Sequence, residues 1–253
     1  MRQKAMFPAV AVALVLAGTA THALAQQTVA RSYSFVPKDG MSAQFEAAMK
    51  AHLQWRADNG DPWTWGVSTI EVGDGMGEYS LRSGGHTYAD LDTYDAQFGR
   101  DALTHYRATV APLVESVSSS ISTVDESLSH RPPEGRPLQF VQITTFHIRP
   151  DRQAQFGEAV AKVTQVLKDG GWGGYWVWVN PLAGGGMGPS AQVVGLHDSW
   201  ADMQEPDPPM MAVLAQAMGQ DDFEAWLESF GQSIRGQETI VRRLRPDMNP
   251  PGN

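Results

Sequence analysis

The 253-residue chain contains no cysteine. It therefore forms no disulfides, binds no zinc through thiolates and carries no lipid on cysteine. Basic residues are few, 19 Lys and Arg against 28 Asp and Glu. That balance argues against nucleic acid or an anionic membrane as partner, because both need dense positive charge to displace counterions. Long apolar runs are missing after the opening segment, so nothing later in the sequence is suited to crossing a membrane. No marked nucleophile stands among the many serines and aspartates, and no Ser-His-Asp order is assignable.

What is present begins with a leader. Arg2 and Lys4 precede an apolar run from Met6 to Gly18, and Ala23-Leu24-Ala25 precedes Gln26. A basic start, a short apolar stretch and a small-x-small site describe a signal peptide over residues 1–25, cleaved after Ala25. The expected location is periplasmic or secreted, with no membrane attachment after processing. Loss of Arg2 and Lys4 moves the formal charge from -9 to -11, which favours solubility. Without disulfides, stability must come from burial, and the remaining length suffices for one large domain or two small ones.

The sequence also repeats itself. At offsets of 111 to 114 positions, seven short matches recur in order. Ala43-Gln44-Phe45 meets Ala154-Gln155-Phe156, Trp63-Thr64-Trp65 meets Trp176-Val177-Trp178, and Gly75-Met76-Gly77 meets Gly186-Met187-Gly188. Self-similarity of this kind implies two copies of one unit. The expected division is residues 29–129, a Pro-rich linker at 130–137, and residues 138–246, followed by a disordered tail at 247–253. The prolines of the join cannot sit inside a helix or a central strand.

Each copy reads as strand, helix, strand, strand, helical stretch, strand. Phe45, Ala48, Met49, His52 and Leu53 fall at helical spacing, as do Phe156, Ala159, Val160, Val163 and Leu167. Ser42 and Asp151 are the expected caps. The Trp-x-Trp segments read as second strands, because residues two apart share a sheet face. The expected fold is α+β: two ferredoxin-like β-α-β-β-α-β repeats whose antiparallel sheets pack face to face. That packing keeps Trp, Tyr and Val side chains out of water, at about 25 cal/mol per Å².

The stretch "RSYSFVPKDGMSAQFEAAMKAH" from Arg31 to His52 resembles the opening of NIPSNAP-type domains. The wider dimeric α/β-barrel group, which includes antibiotic-biosynthesis-monooxygenase-like proteins, shares the topology. The second copy has Thr144 and Phe146 where Arg31 and Tyr33 stand. The resemblance implies a fold more than an activity.

The residues support limited chemistry. Both Gly-Met-Gly loops lead from strand to strand and lack a following Lys-Ser/Thr, so they read as hairpins, not phosphate cradles. Trp63, Trp65, Trp176 and Trp178, with Tyr33, are expected between the two sheets, either as solid core or as walls of an aromatic pocket. His52 and His147 are the candidate acid-base residues, with Arg31 or Asn180 as the polar partner. His86 and His197 end third strands, while His105 and His130 read as helix-surface and linker residues. His197 with Asp198 and Asp202, or His86 with Asp90, would offer metal ligands, but neither has paired-histidine spacing. Chlorite-dismutase-like proteins carry an axial histidine on a helix of the second unit, and this sequence has none there. No metal or cofactor is expected.

Three functions follow. The leading one is binding of a small hydrophobic or aromatic ligand between the sheets. The alternatives are a cofactor-independent monooxygenase or isomerase acting on an electron-rich aromatic substrate, and a self-assembling envelope protein, with homodimers allowed.

Overall fold

The computed structural model describes residues 28–250 apart from Met187. The expected leader falls outside the described residues. Among the described residues no helix is long and apolar enough to cross a membrane.

The first half runs β1 (Val29–Pro37), α1 (Ser42–Asp58), β2 (Gly66–Val72), β3 (Tyr79–His86), α2 (Tyr88–Tyr94), α3 (Arg100–Thr109) and β4 (Val114–His130). A π-helical turn, Asp95–Gly99, separates α2 from α3. The second half runs β5 (Phe140–Ile148), α4 (Gln153–Asp169), β6 (Trp176–Ala183), β7 (Ser190–His197), α5 (Met210–Met218), α6 (Gln220–Ser233) and β8 (Ile234–Leu244).

The eight strands close into one barrel in the order β1-β3-β2-β8-β5-β7-β6-β4, with every neighbouring pair antiparallel. The two halves are thus joined edge to edge and form opposite walls of one barrel. One seam pairs Thr69 with Arg243, and the other pairs Val124 with Val179. The 17-residue β4 makes the second seam possible, pairing with β1 along its first part and with β6 along its last. Every strand has two neighbours, so closure removes the free edges that a flat sheet would expose.

Side-chain alternation then sorts the core. On β6, Trp176 and Trp178 pack with Phe156, Val160 and Leu167 of α4, while Val177 and Val179 join Leu196, Val194 and Val141 on the other face. The helices lie outside the barrel, and the valine face lines its interior. In the first half Trp63 and Trp65 lie in the connection before β2, not in the strand expected for them, and pack with Phe45, Met49 and Leu53 of α1. This corrects the expected placement of the four indoles. They lie under each half's own helices and do not meet across the space between the sheets. Part of that interior is polar, where Arg82 donates to the hydroxyls of Ser32 and Ser122 at 3.1 and 3.0 Å.

Local expectations also shift. Neither Ser42 nor Asp151 caps a helix, since α1 and α4 start without a side-chain cap. A capping box instead starts α2, where Thr87 and Asp90 exchange bonds of 3.1 and 2.7 Å. The Gly-Met-Gly loops do join β2 to β3 and β6 to β7, with φ of 81 and 89° at Gly75 and Gly77, where only glycine is unstrained. The chain end differs from the expected disordered tail at its start. Pro246–Met248 forms a 3₁₀ turn, and Met248 is buried in the first-half core.

Candidate functional site

A cavity of about 560 Å³ lies between the outer face of the first half's strands and its helices. β1 supplies Arg31, Tyr33 and Phe35, which alternate onto the helix-facing side. One stripe of α1 supplies Met49, His52 and Arg56, spaced three and four residues apart. The opposite wall comes from Tyr94 and Asp95 at the π turn and from Ala102, Leu103 and Tyr106 of α3. π turns concentrate at functional sites, and this one carries Asp95 to Arg31, 2.9 Å away.

Arg56 is the buried cation of the site. Its Nε donates to Asp61 Oδ2 at 2.6 Å, and both side chains are almost fully covered. An Nη donates to the Tyr94 hydroxyl, and the guanidinium lies 4.5 Å over the ring of Trp65. Asp61 also accepts from the Trp65 indole at 3.0 Å and the Trp63 amide at 2.9 Å. These bonds fix the guanidinium in place, which satisfies the stringent demand of a buried charge for partners.

His52 is 2% exposed. Burial, then the charges of Arg56 and His105, push its pKa down to about 3, so it stays neutral at any ordinary pH. Its Nδ1 lies 2.8 Å from Nδ1 of His105, so Nε2 is the ring nitrogen not used in that contact. Burial holds the hydroxyls of Tyr33, Tyr94 and Tyr106 above their usual range, so they remain protonated donors. The site combines a neutral imidazole, a pinned guanidinium, a second guanidinium at the rim and three phenols within apolar walls. That set can take a proton from a bound aromatic compound and hold the resulting negative charge.

The residues singled out from the sequence are thereby divided. Tyr33, His52 and Arg31 come together in this cavity. Trp63 and Trp65 form its supporting layer. Trp63 stacks on Tyr94 at 3.9 Å and on His86 at 3.8 Å. Trp178 and Asn180 line a different cavity of about 700 Å³ beside α4 and the β6–β7 hairpin, whose only charged lining residue among the described residues is Asp125. Trp176 is buried beneath α4, its indole donating to the Leu128 carbonyl at 2.8 Å. His147 is separated from all of them: it sits on the barrel-interior face of β5, half-exposed, 3.6 Å from Glu238.

Sequence reasoning missed Arg56, Tyr94 and His105. Arg56 carried a signal, a charge on the apolar stripe of α1. His105 carried none, and the expectation that it sits on an open helix surface is corrected by its contact with His52. The proposed metal ligands are otherwise engaged. Asp198 and Asp202 hold Arg136 at 3.0 and 2.6 Å, and Asp90 caps α2. No cluster of three metal-ligating side chains occurs among the described residues. The helices of the second half carry no histidine, so they offer no imidazole to a haem iron.

Neither a family model nor a curated protein matches the sequence. Solved structures do match in shape. A candidate monooxygenase from Fusobacterium nucleatum superposes with a TM-score of 0.57 at 11% identity, covering 87% of this chain and 94% of that one. A candidate monooxygenase from Lactobacillus acidophilus gives 0.52 at 6%, covering 86% and 94%. A mutant chlorite dismutase from Candidatus Nitrospira defluvii gives 0.51 at 8%, covering 86% and 92%. At such identities the likeness is one of fold alone.

Proposed function

We propose that the chain is an exported enzyme that oxidises an electron-rich aromatic compound with dioxygen and without a cofactor. The observation that carries this reading is the neutral, buried His52 in the lining of a cavity that also holds Arg56, one turn along the same helix, and three phenols. Nε2 of His52 takes an acidic proton from a methylene carbon of the substrate. Arg56 and Arg31 hold the negative charge that spreads to the ring oxygen. The carbanion gives its electron pair to dioxygen, a carbon–oxygen bond forms, and the peroxide takes up a proton. Loss of water then leaves a carbonyl, so one oxygen atom enters the product and the other departs as water.

The test is oxygen uptake with a panel of phenolic ketones that carry an acidic methylene, with quinols and polyphenols that lack one as controls. His52→Ala should lower the rate at least ~100-fold, the usual range for a general base, while His147→Ala leaves it unchanged. No uptake with any compound, or an unaffected His52→Ala, would sink the proposal. A Soret band formed with haemin and lost in His52→Ala would replace it with a haem site.

Binding without turnover is the second reading, supported by the apolar walls of the same cavity. It predicts a change in tryptophan fluorescence on titration with these compounds and no oxygen uptake. The proposal includes the leader, so the mature protein should begin at Gln26 when sequenced from its N-terminus. It also takes the two halves as ferredoxin-like repeats of one ancestral unit, with the opening strand and helix of NIPSNAP type. A homodimer is compatible with this site, whose lining residues named above come from one chain.

A further inference from the structure

We propose that His105 passes protons between His52 and solvent, so that the base in the cavity is reset through the helix layer and not through the cavity mouth. The inference rests on the reading of His52 as the base.

The geometry is specific. Nδ1 of His52 and Nδ1 of His105 are 2.8 Å apart, and the two ring planes lie within 15° of each other, as an in-plane lone pair requires. Between two such nitrogens only one hydrogen fits. One ring therefore carries it and the other accepts it. His52 is closed off from water, whereas His105 is only half-covered. Trp55 stacks on the His105 ring at 4.3 Å and 10° and fixes its plane, and Thr109 Oγ1 lies 3.4 Å from the same Nδ1. The charged and titratable groups facing the pair are Arg56, one turn further along α1, and Tyr106 of α3, 6.1 Å from the His52 ring.

The proton count closes. The substrate's proton arrives on Nε2 of His52, the hydrogen on its Nδ1 crosses to Nδ1 of His105, and the hydrogen on Nε2 of His105 leaves to water. Run backwards, the same path delivers the proton that the peroxide takes up. The environment of His52 favours such transfer, because burial and Arg56 oppose keeping a positive charge there.

The discriminating variant is His105→Gln, whose amide can still bond to His52 but cannot accept a proton and release another. The relay predicts a kcat at least tenfold lower, a KM within twofold of the parent, and partial recovery when imidazole is added. A purely structural pair predicts parental kcat at every buffer concentration, which would overturn the proposal. If the parent protein consumes no oxygen with any compound, the functional reading fails and the relay is judged by NMR on ¹⁵N-labelled protein. There the shared hydrogen should couple to both Nδ1 nitrogens and exchange with water faster than the backbone amides of α1. In His105→Gln the His52 ring hydrogen should exchange at least tenfold more slowly. No coupling, or exchange no faster than those amides, would end the relay whatever the enzyme does.

Discussion

The two halves of the barrel have matching element orders, and they differ where chemistry would occur. On the first strand, Arg31, Tyr33 and Phe35 stand where the second half has Thr144, Phe146 and Ile148. On the long helix, His52 and Arg56 stand where it has Val163 and Leu167. The second half places mostly carbon side chains at the corresponding positions. Phe230 of α6 packs edge-on against Phe146 at 5.5 Å and stacks on Phe156 at 5.7 Å. In the first half the matching strand residues face a cavity they share with His52 and Arg56, whereas the cavity beside α4 is lined by Ile148, Phe156, Val160 and Trp178. The second half thus keeps this layer almost wholly apolar, while the first spends some of the same framework's stability on a buried cation and its carboxylate.

Giving the first half the second half's residue at its most buried charge should show the largest effect. Arg56→Leu leaves the Asp61 carboxylate covered and without its cation, which costs about 3–5 kcal/mol, read from urea unfolding. Adding Asp61→Asn removes the stranded charge while retaining one acceptor oxygen, so part of the loss should return. A cost below about 1 kcal/mol for Arg56→Leu would mean the pair is not buried as described. In the second half, Leu167→Ala should instead act through the cavity it leaves, about 2–5 kcal/mol, with no rescue by any charge change.

Much of this contrast was open to sequence reasoning, and the reasons for the rest are physical. The stripe on α1 was legible because period 3.6 places Phe45, Met49, His52 and Leu53 on one face whatever surrounds them. The strands were legible through their alternation, which also placed Phe146 and His147 on opposite faces. Alternation states which residues share a face, however, and not which face meets the helices. That ambiguity sent Trp176 and Trp178 to the wrong side of the sheet, whereas Trp63 and Trp65 were given to a strand that starts only at Gly66. Barrel closure depends on pairing between residues as distant as Thr69 and Arg243, and no local pattern encodes it. The His52–His105 contact was hidden for another reason. The π turn at Asp95–Gly99 inserts a residue, and each residue turns the following helix by about 100°. The face that α3 presents to α1 therefore cannot be read from spacing alone.

A medium-sized difference between the halves should appear on acidification. His52 has an ordinary value of 6.5 and a folded value of about 3, so below pH 6.5 the unfolded chain binds a proton that the folded one refuses. Its contribution is complete above pH 6.5 and is lost as pH falls towards 3, by at most about 1.4 kcal/mol per pH unit. His86, lowered chiefly by burial, acts with the same sign. The carboxylates Glu46 and Asp247, held low by Arg245, lose their contributions only further into acid. The informative window is therefore pH 6.5 down to about 4.5. There His52→Val, which installs the second half's residue, should flatten the decline in unfolding free energy. Parallel curves for parent and variant would show that His52 ionises freely in the folded protein.

The smallest effect is expected where the halves are joined. At the β2–β8 seam Arg243 makes two bonds to Glu71, at 2.9 and 3.0 Å, and holds that carboxyl below its usual range. Both side chains remain about one-third exposed, and solvent screens such pairs strongly. The β4–β6 seam pairs Val124 with Val179, whose side chains belong to the barrel-interior cluster. Arg243→Ala should therefore cost less than about 1 kcal/mol and become milder still in high salt, whereas Val179→Ala should cost more and ignore salt. Equal costs, or a salt-sensitive Val179→Ala, would mean that charge and not apolar burial holds the two halves of the barrel together.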